Sequence, residues 1–136
     1  LAAQFNKFPL KNGVTGMIDV SQADDMNEIA AASDVLITDY SSSAFDVINM
    51  YMPVFLYTED LEKYIKERGK LMWDMHSLPF SVAEDNDELV ENIEKFDTEE
   101  YKKKVDEFSQ EHGVLEDGHA SERVVDTIER FCSQLK

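Results

Sequence analysis

The sequence predicts an α/β fold: a parallel, Rossmann-like sheet with helices on both faces. Three observations carry this. Short runs rich in β-branched and aromatic residues recur at 34–38 (DVLIT), 54–57 (VFLY) and 80–83 (FSVA). Segments with helical apolar spacing lie between and after them, as strand–helix–strand crossovers require. The run at 34–38 is almost wholly apolar, which is how a strand covered on both faces reads.

Each element follows in order. Residues 16–20 (GMIDV) are a short strand candidate. Asp24-Asp25 then caps a helix whose apolar face is Met26, Ile29 and Ala30. After the strand at 34–38, residues 44–52 place Phe45, Ile48 and Met52 at helical spacing, and Pro53 ends that helix. Beyond the strand at 54–57, residues 61–68 form a helix with charges outside and Gly69 at its C-cap. The acidic segment 84–87 starts a helix through Leu89, Val90 and Ile93. Another helix covers about 99–110 and is broken at His112-Gly113. A last amphipathic helix, 119–135, turns Val124, Val125, Ile128 and Phe131 inward. The acidic patches at 85–91 and 97–100 are solvated helix starts, where the helix dipole favours carboxylates.

The totals set limits. A chain of 136 residues can bury one core, so a single domain over 1–136 is expected. The 43% hydrophobic and 10% aromatic content is that of a globular chain rather than a disordered one. A net charge of −16 argues against nucleic acid as a partner, because phosphate backbones are bound by clustered Lys and Arg. It also makes this surface unsuited to touch anionic lipid directly. No apolar run reaches the length of a membrane helix, and residues 1–20 lack the pattern of a signal peptide. The one cysteine, Cys132, has no internal partner, which fits a reducing compartment. No Walker loop, G-x-G-x-x-G or zinc-spaced Cys/His cluster occurs, so neither metal nor cofactor is expected. The first residue is Leu, and residues 1–13 read as a helix end and a loop. The expectation is a piece of a longer protein, with the N-terminal part of its domain missing.

Two stretches carry candidate chemistry. Thr38, Asp39, Tyr40, Ser41, Ser42 and Ser43 lie at the carboxyl end of a strand, where open parallel sheets bind ligands. They lead into a helix start, whose free N–H groups attract anions. Serine hydroxyls donate to phosphate oxygens without bulk, so TDYSSS reads as a phosphate cradle. The same serines also read as plain helix caps, which is the commoner use of a serine there. In the second stretch, GVLEDGHASERVVDTIERF, Asp117-Gly118 is a turn and Ala120 to Arg123 open a helix. Arg123 near a helix start runs against the dipole preference. It answers either a ligand phosphate or, more commonly, Asp117 or Glu122 in a surface ion pair. None of His76, His112 and His119 has a partner spaced for a metal or a triad. Trp73 and Tyr64 read as core or edge packing.

Taken together and in order, DVLITDYSSSAFDV, PVFLYTEDLEKYIKERG and LEDGHASERVVDTI resemble the CDP-glycerol glycerophosphotransferase family, which builds teichoic-acid chains. The likeness falls on Ser33-Asp34, Thr38 to Ser42, Asp46, Pro53, Tyr57, Asp60, Tyr64, Arg68-Gly69, Asp117-Gly118 and Ala120 to Val125. It extends from about Asp19 to Ile128. The resemblance implies the C-terminal, donor-binding half of a GT-B transferase. It implies that Ser41 and Ser42 contact the donor's phosphates. Thr38, Arg68, Gly118, Ser121 and Arg123 would complete the pocket, with Asp39 and Asp117 positioning neighbouring groups.

The family's His-Pro motif, expected just upstream, is not in this sequence, and no catalytic residue is assigned within it. The implied reaction moves glycerol phosphate from CDP-glycerol to the terminal hydroxyl of a polymer or lipid-linked acceptor and releases CMP. Its implied partners are the donor, the acceptor and the N-terminal domain of the same enzyme. The implied place is the cytoplasmic face of the membrane, reached through other parts of the protein. Two other readings stay open: a GT-B transferase using CDP-ribitol or a nucleotide-sugar, and a non-catalytic Rossmann-like binding module.

Overall fold

A computed structural model describes residues 18–134. The chain divides into two units, one ending at Ser33 and the other starting at Asp34. Among the described residues of the first unit, helix α1 (Met26–Ala31) is started by Asp25, whose carboxylate accepts the Asn27 N–H at 2.7 Å. Residues 18–20 form no strand, while Gly16 and Met17 lie outside the described residues.

The second unit is built on three parallel strands in the order β1-β2-β3. They are β1 (Leu36–Thr38), β2 (Val54–Tyr57) and β3 (Ser81–Ala83). Leu36 pairs with Val54, and Phe55 with Ser81. Helices α2 (Ser43–Asp46), α3 (Leu61–Arg68), α4 (Asn86–Glu94), α5 (Thr98–His112) and α6 (Ala120–Gln134) follow in chain order, so the α/β reading holds. The strand covered on both faces is β2, not β1. Val54, Phe55 and Leu56 are buried, whereas Val35 and Ile37 are 43% and 51% exposed. An apolar run predicts a strand, but its place in the sheet decides its cover, and β1 lies at an edge of the described sheet.

The expected helix over 44–52 is broken. Four residues of α2 give way at Val47 to a 3₁₀ turn, Ile48–Met50, and Tyr51 closes it with φ 52°. Pro53 stops a helix from continuing past Met52, since the residue before a proline is steered out of the helical region and Pro itself offers no N–H; it does not account for the change at Val47, six residues earlier. The apolar side is kept all the same: Ile48 and Met52 are buried. Two phenols tie this corner to α5. Tyr51 donates to Asp106 at 2.6 Å, and the buried Tyr101 donates to the Met52 carbonyl at 2.7 Å. Tyr101, Val105 and Phe108, spaced at i, i+4 and i+7, are the buried stripe of α5.

The acidic segments are helix caps. Asp85 accepts the Glu88 N–H, and Asp97 accepts those of Glu99 and Glu100, all at 2.9 Å. Gly113, at φ 65°, ends α5 in the left-handed conformation that glycine adopts without strain. The inward turn expected of α6 is not found. Val124, Val125, Ile128 and Phe131 are 52–63% exposed. Periodicity shows that a face is apolar; it does not show that the same unit covers it.

Candidate functional site

The turn after β1 sits over a cavity of about 170 Å³. Asp39, Tyr40, Ser41 and Ser42 form one rim, and Phe45, Trp73 and Phe80 are part of its apolar wall. Phe45 sets that wall. Its ring lies 5.5 Å from Trp73, 5.5 Å from Phe80 and 5.9 Å from Phe108, centroid to centroid, in aromatic contact with all three. Trp73 is therefore a packing residue, as read from the sequence, and also part of this wall.

The three serines divide their work. The Ser41 hydroxyl accepts the Ser43 hydroxyl at 2.9 Å and the Ser43 N–H at 3.3 Å. Ser43 is buried, so this pair shapes the turn from inside. Ser42 occupies the N-cap position but makes no side-chain cap bond. Its hydroxyl is exposed and has no hydrogen-bond partner among the described residues. The cap expected of Ser42 or Ser43 is not made: Ser43 donates to Ser41, and Ser42 is left free. Helix α2 is a single turn, so its dipole is small, and its first N–H groups are taken: Ser43 donates to the Ser41 hydroxyl, Ala44 to the Ser41 carbonyl and Phe45 to the Ser42 carbonyl. What the turn offers an anion is the Ser42 hydroxyl.

Tyr40 ties this turn to α3. Its hydroxyl donates to Asp60 Oδ1 at 2.8 Å, and its ring stacks on Tyr64 with centroids 3.8 Å apart. Burial first, then the hydrogen bond to Asp60 and the charges of Asp60 and Asp39, push the Tyr40 phenol well above the ordinary tyrosine value. It remains a neutral donor. Tyr64 and Arg68 are one turn apart on α3, and Arg68 forms no ion pair within the described residues. Sequence reasoning placed Tyr40 in the cradle stretch without a role of its own, and did not assign Asp60 or Tyr64 to the site. They stood within the matched motifs, but nothing in linear spacing shows that residues 20 apart touch.

The second stretch is closed on itself. Gly118 takes φ 79°, which turns the chain so that Asp117 accepts the His119 N–H at 3.0 Å. The Asp117 carboxylate then receives Arg123 Nη1 at 2.6 and 2.8 Å, while Arg123 Nη2 donates to the Leu115 carbonyl at 3.1 Å. Hydrogen bonding from Arg123, then from the His119 backbone, holds the Asp117 carboxyl below its ordinary value. His119 Nδ1 lies 3.0 Å from Glu122, and Ser121 is exposed. Among the described residues, no hydrogen bond joins this stretch to the serine turn, and the cavity's lining includes neither it nor Arg68.

The comparisons with known proteins agree with the motifs. Residues 5–130 match the family CDP-glycerol:poly(glycerophosphate) glycerophosphotransferase. A teichoic acid ribitol-phosphate primase of Bacillus spizizenii is 36% identical over 117 residues, covering 86% of this chain and 30% of that protein. A teichoic acid glycerol-phosphate transferase of Staphylococcus aureus is 37% identical over 113 residues, 81% of this chain and 29% of that protein. A solved structure of the wall teichoic acid polymerase TagF superposes with a TM-score of 0.73 at 31% identity, covering 100% of this chain and 34% of its own. The chain thus spans about a third, or less, of each of these relatives.

Proposed function

The chain belongs to the CDP-glycerol:poly(glycerophosphate) glycerophosphotransferase family, and on that premise we propose that it forms the donor-phosphate pocket of a transferase. The reaction moves glycerol phosphate from CDP-glycerol to the terminal hydroxyl of a teichoic-acid-type acceptor. The acceptor oxygen attacks the phosphorus next to glycerol, the bond from that phosphorus to the bridging oxygen breaks, and CMP leaves. The chain acts as the C-terminal half of a GT-B enzyme, peripheral to the cytoplasmic face of the membrane, and meets an N-terminal domain across the cleft. A histidine base comes from outside this sequence.

The observation that carries this reading is the open Ser42 hydroxyl at the carboxyl end of a parallel strand. Ser41 shapes the turn, Ser42 donates to the pyrophosphate, and Thr38 and Asp39 hold the end of the strand. Arg68, Gly118, Ser121 and Arg123 supply further donors and charge, with Asp117 orienting Arg123. Nothing in this set forms a bond to substrate; it would lower the barrier by positioning and by stabilising charge on the transferring phosphate.

The test is transfer of labelled glycerol phosphate by the full-length protein. Ser42→Ala combined with Ser41→Ala lowers kcat/KM for CDP-glycerol about a hundredfold, the usual scale for a lost donor to developing charge. Wild-type rates with CDP-glycerol in the double variant would overturn the pocket. A second reading, CDP-ribitol as donor, is kept because the chain resembles ribitol-phosphate and glycerol-phosphate enzymes almost equally. The same assay run with CDP-ribitol decides between them.

A further inference from the structure

The serine turn and α3 meet through three side chains that play no part in the reading above. Tyr40 lies between Asp39 and Ser41, Asp60 is the residue before α3, and Tyr64 is in its first full turn. The phenol-to-carboxylate bond of 2.8 Å and the ring stack at 3.8 Å close one contact from both sides. Helix α3 has no buried residue of its own. Among the described residues, no other side-chain hydrogen bond or ion pair joins α3 or Asp60 to the rest of the unit. The start of α3 is fixed through buried Thr58, whose N–H donates to the Ala83 carbonyl and whose carbonyl accepts the Leu61 N–H, and this contact adds the one side-chain tie from the described helix to the serine turn. Arg68 lies one turn beyond Tyr64 on the same side of α3.

We propose that Tyr40, Asp60 and Tyr64 form a strap that fixes the Ser41-Ser42 turn against α3, making Tyr40 and Asp60 positioning residues for the donor's pyrophosphate. The inference rests on the donor pocket proposed above. The strap sets the distance between the Ser42 hydroxyl and the Arg68 guanidinium, which sit on separate elements and must reach one ligand together. A neutral phenol donating to a carboxylate suits this role, since it adds no charge beside a pyrophosphate. The ring stack limits sideways movement that a single hydrogen bond permits. The strap touches no reacting atom; its effect is read in binding of the donor.

The test is steady-state kinetics of the full-length protein, with donor and acceptor varied separately. Tyr40→Phe keeps the ring and removes the hydroxyl; Asp60→Ala removes the acceptor from an exposed site, where folding is least at risk. Both raise the KM for CDP-glycerol by roughly three- to tenfold, the scale of one hydrogen bond, and leave the KM for the acceptor in place. Asp60→Asn, which keeps an acceptor oxygen, recovers most of the loss. An unchanged donor KM in both variants, with the wild type active, overturns the strap and leaves the pocket standing. An equal rise in donor and acceptor KM also overturns it, because it marks general loosening. A wild type that uses neither CDP-glycerol nor CDP-ribitol refutes the pocket itself.

Discussion

The turns at 38–43 and 117–123 look alike in sequence, each a loop with serine entering a helix, yet they are built oppositely. The first is open. Ser41 bonds within the turn, Ser42 points to solvent, and buried aromatic packing holds the turn from below. The second is closed, with Asp117 accepting Arg123 Nη1 and the His119 N–H, and the Leu115 carbonyl accepting Arg123 Nη2. It is exposed, and its helix α6 buries no residue. A phosphate can enter the first without displacing a side chain. In the second it must compete with a carboxylate already in place. What separates a cap from a cradle here is which groups the fold leaves unpaired; residue type does not decide it.

The largest effect should come from removing what supports the open turn. Phe45→Ala withdraws the ring shared by Trp73, Phe80 and Phe108. It should cost about 2–3 kcal/mol in denaturant unfolding, somewhat under the value for a fully buried Phe because Phe45 is half-buried. No residue of the 117–123 stretch has a comparable role. A cost below about 0.5 kcal/mol, the scale of a surface substitution, would break the contrast between a supported turn and a surface one.

A smaller effect should distinguish the closed turn by pH. Asp117 is an acid whose folded value lies below its ordinary one, so its bond to Arg123 holds in full at and above the ordinary carboxylate range. It is lost only as the pH falls through the lower, folded value. The side-chain carboxyl shift of Asp117 followed from neutral pH downward should stay flat through pH 5 and move only below about 4, the ordinary aspartate value. Movement between pH 5 and 7 would show that Asp117 does not hold the turn closed.

Much of the fold was legible in the sequence because its signals are local. Asp25, Asp85 and Asp97 each cap the helix that follows, and Gly69 and Gly113 each end one at positive φ. The run at 54–57 is a strand to the residue. What local signals could not carry was cover. The runs at 34–38 and 120–134 are as apolar as buried elements, but β1 lies at an edge of the described sheet and α6 keeps its apolar face exposed. The site was legible as two turns with serine and arginine, with Asp117 and Glu122 both open as partners of Arg123; the structure pairs it with Asp117. The Tyr40–Asp60–Tyr64 contact was not legible, because a pairing across two elements depends on how those elements are set against each other.

The central claim is that the open turn receives a pyrophosphate. It is tested most directly by titrating CDP-glycerol into isotope-labelled protein and following backbone amides, with CDP-ribitol, CMP and UDP-glucose beside it. The account predicts that amides of Thr38 to Ala44 shift first and saturate with CDP ligands. Those of Gly118 to Arg123 should move less, because Asp117 already occupies Arg123. Saturating shifts elsewhere on the chain, with Ser41 and Ser42 unmoved, would contradict it and leave Ser41 and Ser43 as residues that only shape the turn.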